Sequence, residues 1–143
     1  MLSGLETKSV TRAALLGHDY RGVNFEMLCE VGDEVKVGSA VMRDARRPRI
    51  KFSAPVSGRI ASIERGKRRK LIALQIDLDD SQVAAGRQPP AGNDAGSIRD
   101  FMLESGAWSA LRTRPFGNIP DPDTEPAAVF ITALDSEPFA PEP

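Results

Sequence analysis

The feature that most restricts the fold is a series of short alternating apolar segments, each ended by a turn signal, over residues 11–80. In residues 72–78, for example, Ile and Leu alternate with Ala, Gln and Asp. A period of two residues indicates strands with one buried face, and turn signals at intervals of roughly 8–12 residues favour a small barrel or sandwich. Strands are predicted at 12–16, 25–31, 35–37, 40–42, 50–52, 59–63 and 72–78.

The composition changes near residue 80. Residues 1–80 carry 15 Lys or Arg and 11 Asp or Glu, whereas residues 81–143 carry 4 and 9, and seven of the 11 prolines lie from Pro115 onward. Residues 84–96 are rich in Ala, Gly and Pro, which is typical of a linker or long loop. We therefore expect a β domain over 1–80, a linker or loop over 81–96 and a different unit over 97–143.

The last unit has a helix signal followed by a strand signal. Ser97 and Asp100 resemble a capping box, and Gly106 is a candidate C-cap, which predicts a helix over 98–105. The continuous apolar run at 127–133 predicts a buried strand of a parallel sheet. Residues 97–143 are therefore expected to be a helix, a basic loop and the first strand of an α/β domain that the sequence leaves unfinished.

Composition excludes several classes of function. The single Cys rules out a disulfide framework or a multi-cysteine metal site, and no apolar run reaches the roughly 20 residues of a membrane-spanning helix. With an N-terminus that lacks a secretory signal, the sequence predicts an intracellular chain without a transmembrane segment. No His, Cys and Asp cluster has the spacing of metal ligands. We expect His18 to be a solvated loop side chain and Cys29 an inert core thiol. Solvated carboxylates are expected at Asp79, Asp80, Asp121 and Asp123.

Two strongly basic runs lie at predicted hairpins. Residues 43–51 hold five cations, and residues 65–70 hold five cations in six positions. Solvated turns are one interpretation, and a docking surface for a partner subunit or for anionic lipid headgroups is another. Nucleic acid is less favoured because no aromatic stacking platform lies beside either run.

Two turn motifs occur in a characteristic order. Val-Gly-Asp-Glu-Val at 31–35 is followed about 20 residues later by Ala-Pro-Val-Ser-Gly at 54–58. Together they resemble the biotinyl/lipoyl-carrier fold, a flattened barrel-sandwich. Carriers of that family present a lysine on the intervening hairpin, but here Lys51 belongs by alternation to the following strand. The resemblance therefore implies the fold without a swinging-arm function.

Further motifs make the resemblance more specific. They are Leu-Leu-Gly-x-Asp-Tyr-x-Gly at 15–22, Lys-Phe-x-Ala-Pro-x-x-Gly at 51–58, Trp-x-Ala-Leu-Arg-Thr-Arg-Pro-Phe at 108–116 and Phe-Ile-Thr-Ala-x-Asp-x-x-Pro at 130–138. With the turn at 31–35, this order closely resembles the family of the A subunit of the Na+-translocating NADH:quinone reductase, from about Lys8 to the end. Members are roughly three times longer, so the sequence is expected to be an N-terminal piece that ends just inside the second domain.

The resemblance implies a fold class that is mainly β with some α: a biotinyl/lipoyl-like barrel-sandwich hybrid followed by the start of an α/β, Rossmann-like domain. It implies a peripheral subunit on the cytoplasmic side of the bacterial inner membrane, partnered by the other subunits of a Na+-transporting NADH:ubiquinone reductase, a translocase. NADH, FAD, FMN and iron–sulfur sites are expected on other subunits, with ubiquinone as the substrate of the complex. This chain alone shows no catalytic group.

Related electron-transfer subunits carry a Gly-rich flavin loop where this chain has residues 105–111, with Gly106 as the single glycine. Because a phosphate cradle needs several glycines, flavin or nucleotide binding is not predicted. Arg112 and Arg114 are interpreted either as an interdomain clamp or as part of a quinone pocket. Quinone recognition needs an apolar, aromatic-lined cleft with hydrogen-bond donors. The candidate quinone contacts are Leu16, Gly17, Tyr20, Gly22, Arg114 and Phe116.

Two alternatives stay open from the sequence. One is a stand-alone biotinyl/lipoyl-type binding module without a carrier lysine, and the weaker one is a basic RNA-binding β-barrel. A covalent biotinyl or lipoyl adduct on any lysine would favour the first, and steeply salt-dependent affinity for RNA would favour the second.

Overall fold

A computed structural model describes residues 9–92 and 94–131. Single 3-10 turns lie at Gly17–Asp19, Lys67–Arg69 and Ala107–Ala110. Within these residues, the regular elements are seven strands and one helix: β1 Arg12–Leu16, β2 Phe25–Met27, β3 Glu34–Val35, β4 Ala40–Asp44, β5 Arg47–Ser53, β6 Gly58–Arg65, β7 Leu71–Leu78 and α1 Ala95–Ser105.

The strands form two antiparallel sheets. The first has the order β1-β7-β6-β3 and the second the order β2-β4-β5. Apolar residues spaced by two point inward at Ile50 and Phe52 of β5 and at Leu74 and Ile76 of β7, as a half-buried strand requires. In β4 the adjacent Val41 and Met42 are both buried, next to a register shift. This confirms the mainly β prediction. The large apolar side chains almost completely removed from solvent are Val41, Met42, Ile50, Phe52, Ile60, Leu74 and Ile76.

Several strands differ in length from the prediction. β2 ends at Met27 rather than continuing to residue 31, because the chain turns at Glu30, whose backbone N–H donates to Asp33 Oδ2 at 2.8 Å. β5 and β6 are longer than predicted. Their pairing continues through register shifts in β4–β5 and β6–β7, which a strict two-residue period does not signal.

The first part of the predicted linker is fastened to the barrel. The N–H of Val37 donates to the carbonyl of Val83 at 3.0 Å, and the N–H of Ala85 donates to the carbonyl of Val37 at 2.8 Å. These bonds form an isolated parallel bridge between Val37 and Ala84. Residues 81–85 therefore act as a strap on the barrel and do not hang free from it.

Helix α1 begins three residues earlier than predicted. Its N-cap is Asp94, whose Oδ1 accepts a hydrogen bond from the N–H of Ser97 at 2.8 Å. Ser97 is therefore the residue that is capped and not the cap. Gly106 ends the helix in the left-handed conformation, as predicted.

The apolar run at 127–133 differs from its prediction. In its described part, residues 127–131, the chain belongs to no strand, and Val129, Phe130 and Ile131 are exposed. A buried parallel strand needs a neighbour along its edge, and no other described segment pairs with these residues. Residues 132 and 133 lie outside the described residues.

Candidate functional site

The tip of the β4–β5 hairpin is the place where a carrier domain would display its lysine. Asp44 pairs with Arg47 across the hairpin, so the tip consists of Ala45 and Arg46. The N–H of Ala45 donates to the carbonyl of Asn24 at 2.7 Å, and Lys51 lies within β5 opposite Arg43. The tip thus presents no amine and is tied to the neighbouring chain segment.

A buried ion pair stands behind this tip. Asp44 is 1% exposed, and its Oδ2 lies 2.9 Å from Nε of Arg47. Burying a carboxylate is costly unless a cation and hydrogen bonds compensate it, and here the N–H of Arg46 also donates to Oδ1. The same guanidinium donates through Nη1 to the carbonyl of Ile119 at 2.8 Å. Arg47 therefore joins the hairpin to the second half of the chain.

Arg49 makes a second connection, on the surface. Its Nη2 lies 2.9 Å from Asp100 of α1, and its Nη1 lies 2.9 Å from Asp123. All three side chains are at least half exposed, so each pair contributes little to stability on its own. Together the two pairs fix where α1 and the following loop meet β5.

Apolar contacts complete the attachment. Leu103, Trp108 and Ile119 are buried in the same core cluster as Ile50 and Phe52 of β5. The indole Nε1 of Trp108 donates to the carbonyl of Pro120 at 3.0 Å, which satisfies its polar atom. We call the side of β5 that receives this segment the β5 docking face; it is formed by Arg47, Arg49 and Ser53.

Close approach at the docking face requires a glycine. The hydroxyl of Ser53 donates to the carbonyl of Ser105 at 2.7 Å, which brings the end of α1 onto the strand. Gly106 follows with φ of 83°, and a Cβ added there would overlap Ser53 Oγ. Both its conformation and its surroundings therefore favour glycine.

A second buried polar cluster holds the Ala-Pro-Val-Ser-Gly turn to the strap. Ser57 is 1% exposed; its hydroxyl lies 2.7 Å from Asp79 Oδ1 and 2.8 Å from the carbonyl of Ser81, and it accepts from the N–H of Val83. The side-chain amide of Gln82 bonds both the N–H and the carbonyl of Ser57. The cluster is internally satisfied, which suits a structural role.

Three of the candidate quinone contacts lie together. Leu16 ends β1, and Gly17 is buried against the carbonyl of Leu71. The ring of Tyr20 packs edge-to-face on Phe52, with centroids 4.8 Å apart. Burial raises the pKa of Tyr20, with a smaller contribution in the same direction from Asp19, while the charge of Arg112 acts in the opposite direction.

The other three candidates are exposed. Gly22 lies in a turn, and Arg114 and Phe116 lie in a loop closed by the N–H of Thr113, which donates to the carbonyl of Asn118. Phe116 is 74% exposed. No hydrogen bond, ion pair or ring contact among the described residues joins Arg114 or Phe116 to the Tyr20 group.

Two surface grooves accompany these features, and the six candidates line neither of them. One, of about 610 Å³, lies beside Ser57 and Asp79. The other, of about 560 Å³, includes the half-buried Cys29, whose pKa is raised by burial and by Asp33. Within residues 9–92 and 94–131 there is no group of acidic, His or Cys side chains suited to a metal ion.

Sequence reasoning misses the main attachment. The basic run at 43–51 is visible in the sequence, but its pairing with residues 100, 119 and 123 depends on contacts between distant parts of the chain. The only local signal is the Asp44–Arg47 spacing at a hairpin end.

The two sheets, the Gly-Asp and Ala-Pro turns and the lysine-free tip define a barrel-sandwich hybrid domain with a second segment docked on β5. Comparison with known proteins agrees. The family model of the NqrA N-terminal barrel-sandwich hybrid domain matches residues 3–79, and that of the NqrA second alpha/beta domain matches residues 93–143. The chain belongs to the NqrA family.

Curated relatives are similar along almost the whole chain. The A subunit of the Na(+)-translocating NADH-quinone reductase of Pseudomonas aeruginosa strain UCBPP-PA14 is 42% identical over 95% of this chain and 32% of the relative. The corresponding proteins of Vibrio atlanticus and Neisseria meningitidis serogroup B are each 39% identical, over 95% and 94% of this chain and 31% of each relative. The chain spans about a third of the length of these relatives. The family resemblance and the fold class expected from the sequence are confirmed, and the stand-alone module is not favoured.

Proposed function

We propose that this chain forms the N-terminal part of the peripheral A subunit of a Na+-pumping NADH:ubiquinone oxidoreductase and contributes to assembly of that complex. The observation that carries the proposal is the match of both parts of the chain to the two NqrA domain families. The β5 docking face supports it, because the strand that follows the hairpin holds residues 94–123 and the hairpin tip displays no lysine.

The side chains at the hairpin tip limit the cofactor chemistry that this chain can carry. Neither Ala45 nor Arg46 at the hairpin tip can form the amide that anchors biotin or lipoate. We therefore hold that this chain carries no covalently bound cofactor. From the family resemblance, we assign NADH, FAD, FMN and iron–sulfur chemistry to other subunits. We place the chain peripherally, on the cytoplasmic side of the inner membrane, from the family resemblance. No helix among the described residues is long and apolar enough to cross a membrane. Residues 1–80 and 97–143 serve as two domains joined by 81–96.

Assembly is tested by tagging the protein in its own host. Solubilised membranes are resolved on a native gel, and the proteins that migrate with the tag are identified by mass spectrometry. The proposal expects the other reductase subunits in the same band as the tagged protein. The surface variant Arg87→Gln should migrate in that band as the wild type does. Migration of the wild-type protein alone, with the complex intact elsewhere on the gel, would contradict the proposal.

The carrier alternative is tested on the same material. Intact mass spectrometry of the purified native protein is expected to give no biotinyl or lipoyl adduct. An adduct on any lysine would restore the carrier function that the hairpin tip argues against.

We further propose that the region around Leu16, Gly17 and Tyr20 contributes to quinone interaction, with Gly22, Arg114 and Phe116 nearby in the assembled complex. The supporting observation is an aromatic cluster with Arg112 close to Tyr20 and an exposed aromatic ring at Phe116. An apolar wall with a nearby cation suits a ring that carries two carbonyl oxygens.

Quinone contact is tested by photolabelling the intact complex with a quinone analogue and mapping the labelled peptides. Labels in peptides that contain Tyr20 or Phe116 are expected, and excess unlabelled ubiquinone should suppress them. Labels confined to other segments would exclude these six residues as quinone contacts.

A further inference from the structure

The turn between β6 and β7 carries the densest charge of the molecule. Gly66 separates the first cation of this turn from the other four, and all five are exposed. Six successive residues span at most about 20 Å even when fully extended, so the charges act on a partner as one group. We call these residues the basic tip: Arg65, Lys67, Arg68, Arg69 and Lys70.

Within the described part of the chain, these cations make side-chain hydrogen bonds only inside the tip, where Nη1 of Arg65 donates to the carbonyl of Arg69 at 3.1 Å. None of the five forms an ion pair with a described carboxylate, and the neighbouring Glu64 accepts a hydrogen bond from Gln75 at 2.6 Å. In the other basic run, by contrast, Arg43, Arg47 and Arg49 all pair with carboxylates. Among the described residues, the basic tip is therefore a dense group of exposed cations that no carboxylate pairs with, and it remains available to a partner.

The backbone of the tip has two non-glycine residues with positive φ. Arg68 and Arg69 have φ of 56° and 60°, and the N–H of Lys70 donates to the carbonyl of Lys67 at 3.3 Å. This is the geometry of a type I′ turn, in which Asn-Gly is the preferred pair. Two arginines at these positions make the turn less stable than Asn-Gly would, but they add two positive charges. Residues with such unfavourable backbone conformations point to a function.

We propose that the basic tip binds the anionic lipid headgroups of a membrane surface directly. Clustered cations near a surface attract anionic lipids. Protein interfaces are enriched in aromatic anchors, and the tip has none. Single-stranded nucleic acid binding uses aromatic stacking platforms, which are also missing here. The proposal does not rest on assembly into the reductase, because it concerns this chain alone.

Vesicle flotation tests the proposal with the 143-residue chain. The vesicles are phosphatidylcholine with or without phosphatidylglycerol, in sodium chloride of about 0.05 M or about 0.5 M, which shortens the screening length from roughly 14 Å to roughly 4 Å. The wild-type chain is expected to float only with phosphatidylglycerol vesicles and only at low salt. Absence of binding under those conditions would overturn the proposal.

The decisive variant is Lys67→Gln with Arg68→Asn and Arg69→Gly. It removes three cations and installs the preferred turn pair, so its thermal midpoint should equal or exceed that of the wild type. Partition into anionic vesicles should fall on the order of a hundredfold, since each cation contributes about fivefold. The matched control removes three exposed cations elsewhere, Arg21→Gln, Lys36→Gln and Arg87→Gln, and should bind nearly as the wild type does.

Other outcomes would overturn the proposal. Equal partition of the tip variant and the wild type would place the binding surface elsewhere. Displacement by inorganic phosphate that exceeds displacement by chloride at equal ionic strength would indicate a discrete phosphate site. Retention by single-stranded RNA without flotation would assign the tip to nucleic acid.

Discussion

Gly106 is the residue at which α1 ends against β5, and it combines two constraints. Its φ is 83°, and a Cβ would overlap the side chain of Ser53. The Gly106→Ala variant should therefore lose about 2–3 kcal/mol of unfolding free energy, measured by urea denaturation.

Gly117 provides the matched control. Its φ is 67°, but nothing lies within 4 Å of the position of a Cβ. Gly117→Ala should cost only the conformational part, about 1 kcal/mol. Equal costs for the two variants would show that the contact with Ser53 contributes nothing.

Arg47 forms a buried ion pair and Arg49 forms surface ion pairs, so variants of these two residues compare the two kinds of pair. Arg47→Met leaves the buried carboxylate of Asp44 without its cation and should destabilise by about 3 kcal/mol. Arg49→Met removes two exposed pairs and should cost less than about 1 kcal/mol. If Arg47→Met unfolds at the same urea concentration as Arg49→Met, the Asp44 pair does not hold the hairpin.

The sequence predicts some of these residues and not others. The helix stop at Gly106 follows from local backbone chemistry, so it is predictable. The bond from Arg47 to the carbonyl of Ile119 joins residues 72 positions apart, and no local pattern encodes it. Likewise, the six candidate quinone contacts are selected by the chemistry of their side chains, only three of them lie together, and they stay a prediction.

Among the elements, α1 depends on its cap. Hydrogen bonds from Ser97 hold the pKa of Asp94 below its usual range. A lowered folded-state pKa means that the stabilisation is present above the unfolded pKa, about 3.9, and is lost as the pH falls through the folded value. In the wild type, α1 should therefore fray in acid, as followed by amide exchange across residues 95–105.

Variants of Asp94 check this assignment. Asp94→Asn keeps an acceptor without charge, so α1 should stay capped and lose its acid dependence. Asp94→Ala should expose the first turn to exchange at every pH. An unchanged acid response in Asp94→Asn would show that another group titrates.

The strap over residues 81–85 depends on one hydroxyl. Ser57→Ala removes the partner of Asp79, Ser81 and Val83 and should destabilise by about 1–3 kcal/mol in thermal or urea unfolding. Ser62 is the control, because its buried hydroxyl has no partner among the described residues. Ser62→Ala should be neutral or slightly stabilising, and a larger loss there than at Ser57 would contradict this role of the hydroxyl.

For the strands and the helix, the sequence predicts best those elements whose pattern is local. β7 follows from alternation and β1 from a short apolar run ended by Gly17, whereas the early start of α1 depends on Asp94, a capping residue outside the apolar pattern. The run at 127–131 has the composition of a buried strand but lies exposed, since composition does not supply a pairing partner.

For the whole molecule, the central feature is that β5 holds residues 94–123 through Arg47, Arg49 and Ser53. An isolated helix of 11 residues is marginal in water, so protection of α1 from exchange must come from docking. This gives a direct test that needs no other protein of the complex.

Amide hydrogen exchange at neutral pH on the wild-type chain and on Arg47→Met measures this docking. We expect slow exchange in residues 98–105 of the wild type, faster exchange there in Arg47→Met, and smaller changes in β6 and β7. Free exchange of residues 98–105 in the wild-type chain, beside a protected barrel, would contradict the docking of this segment on β5.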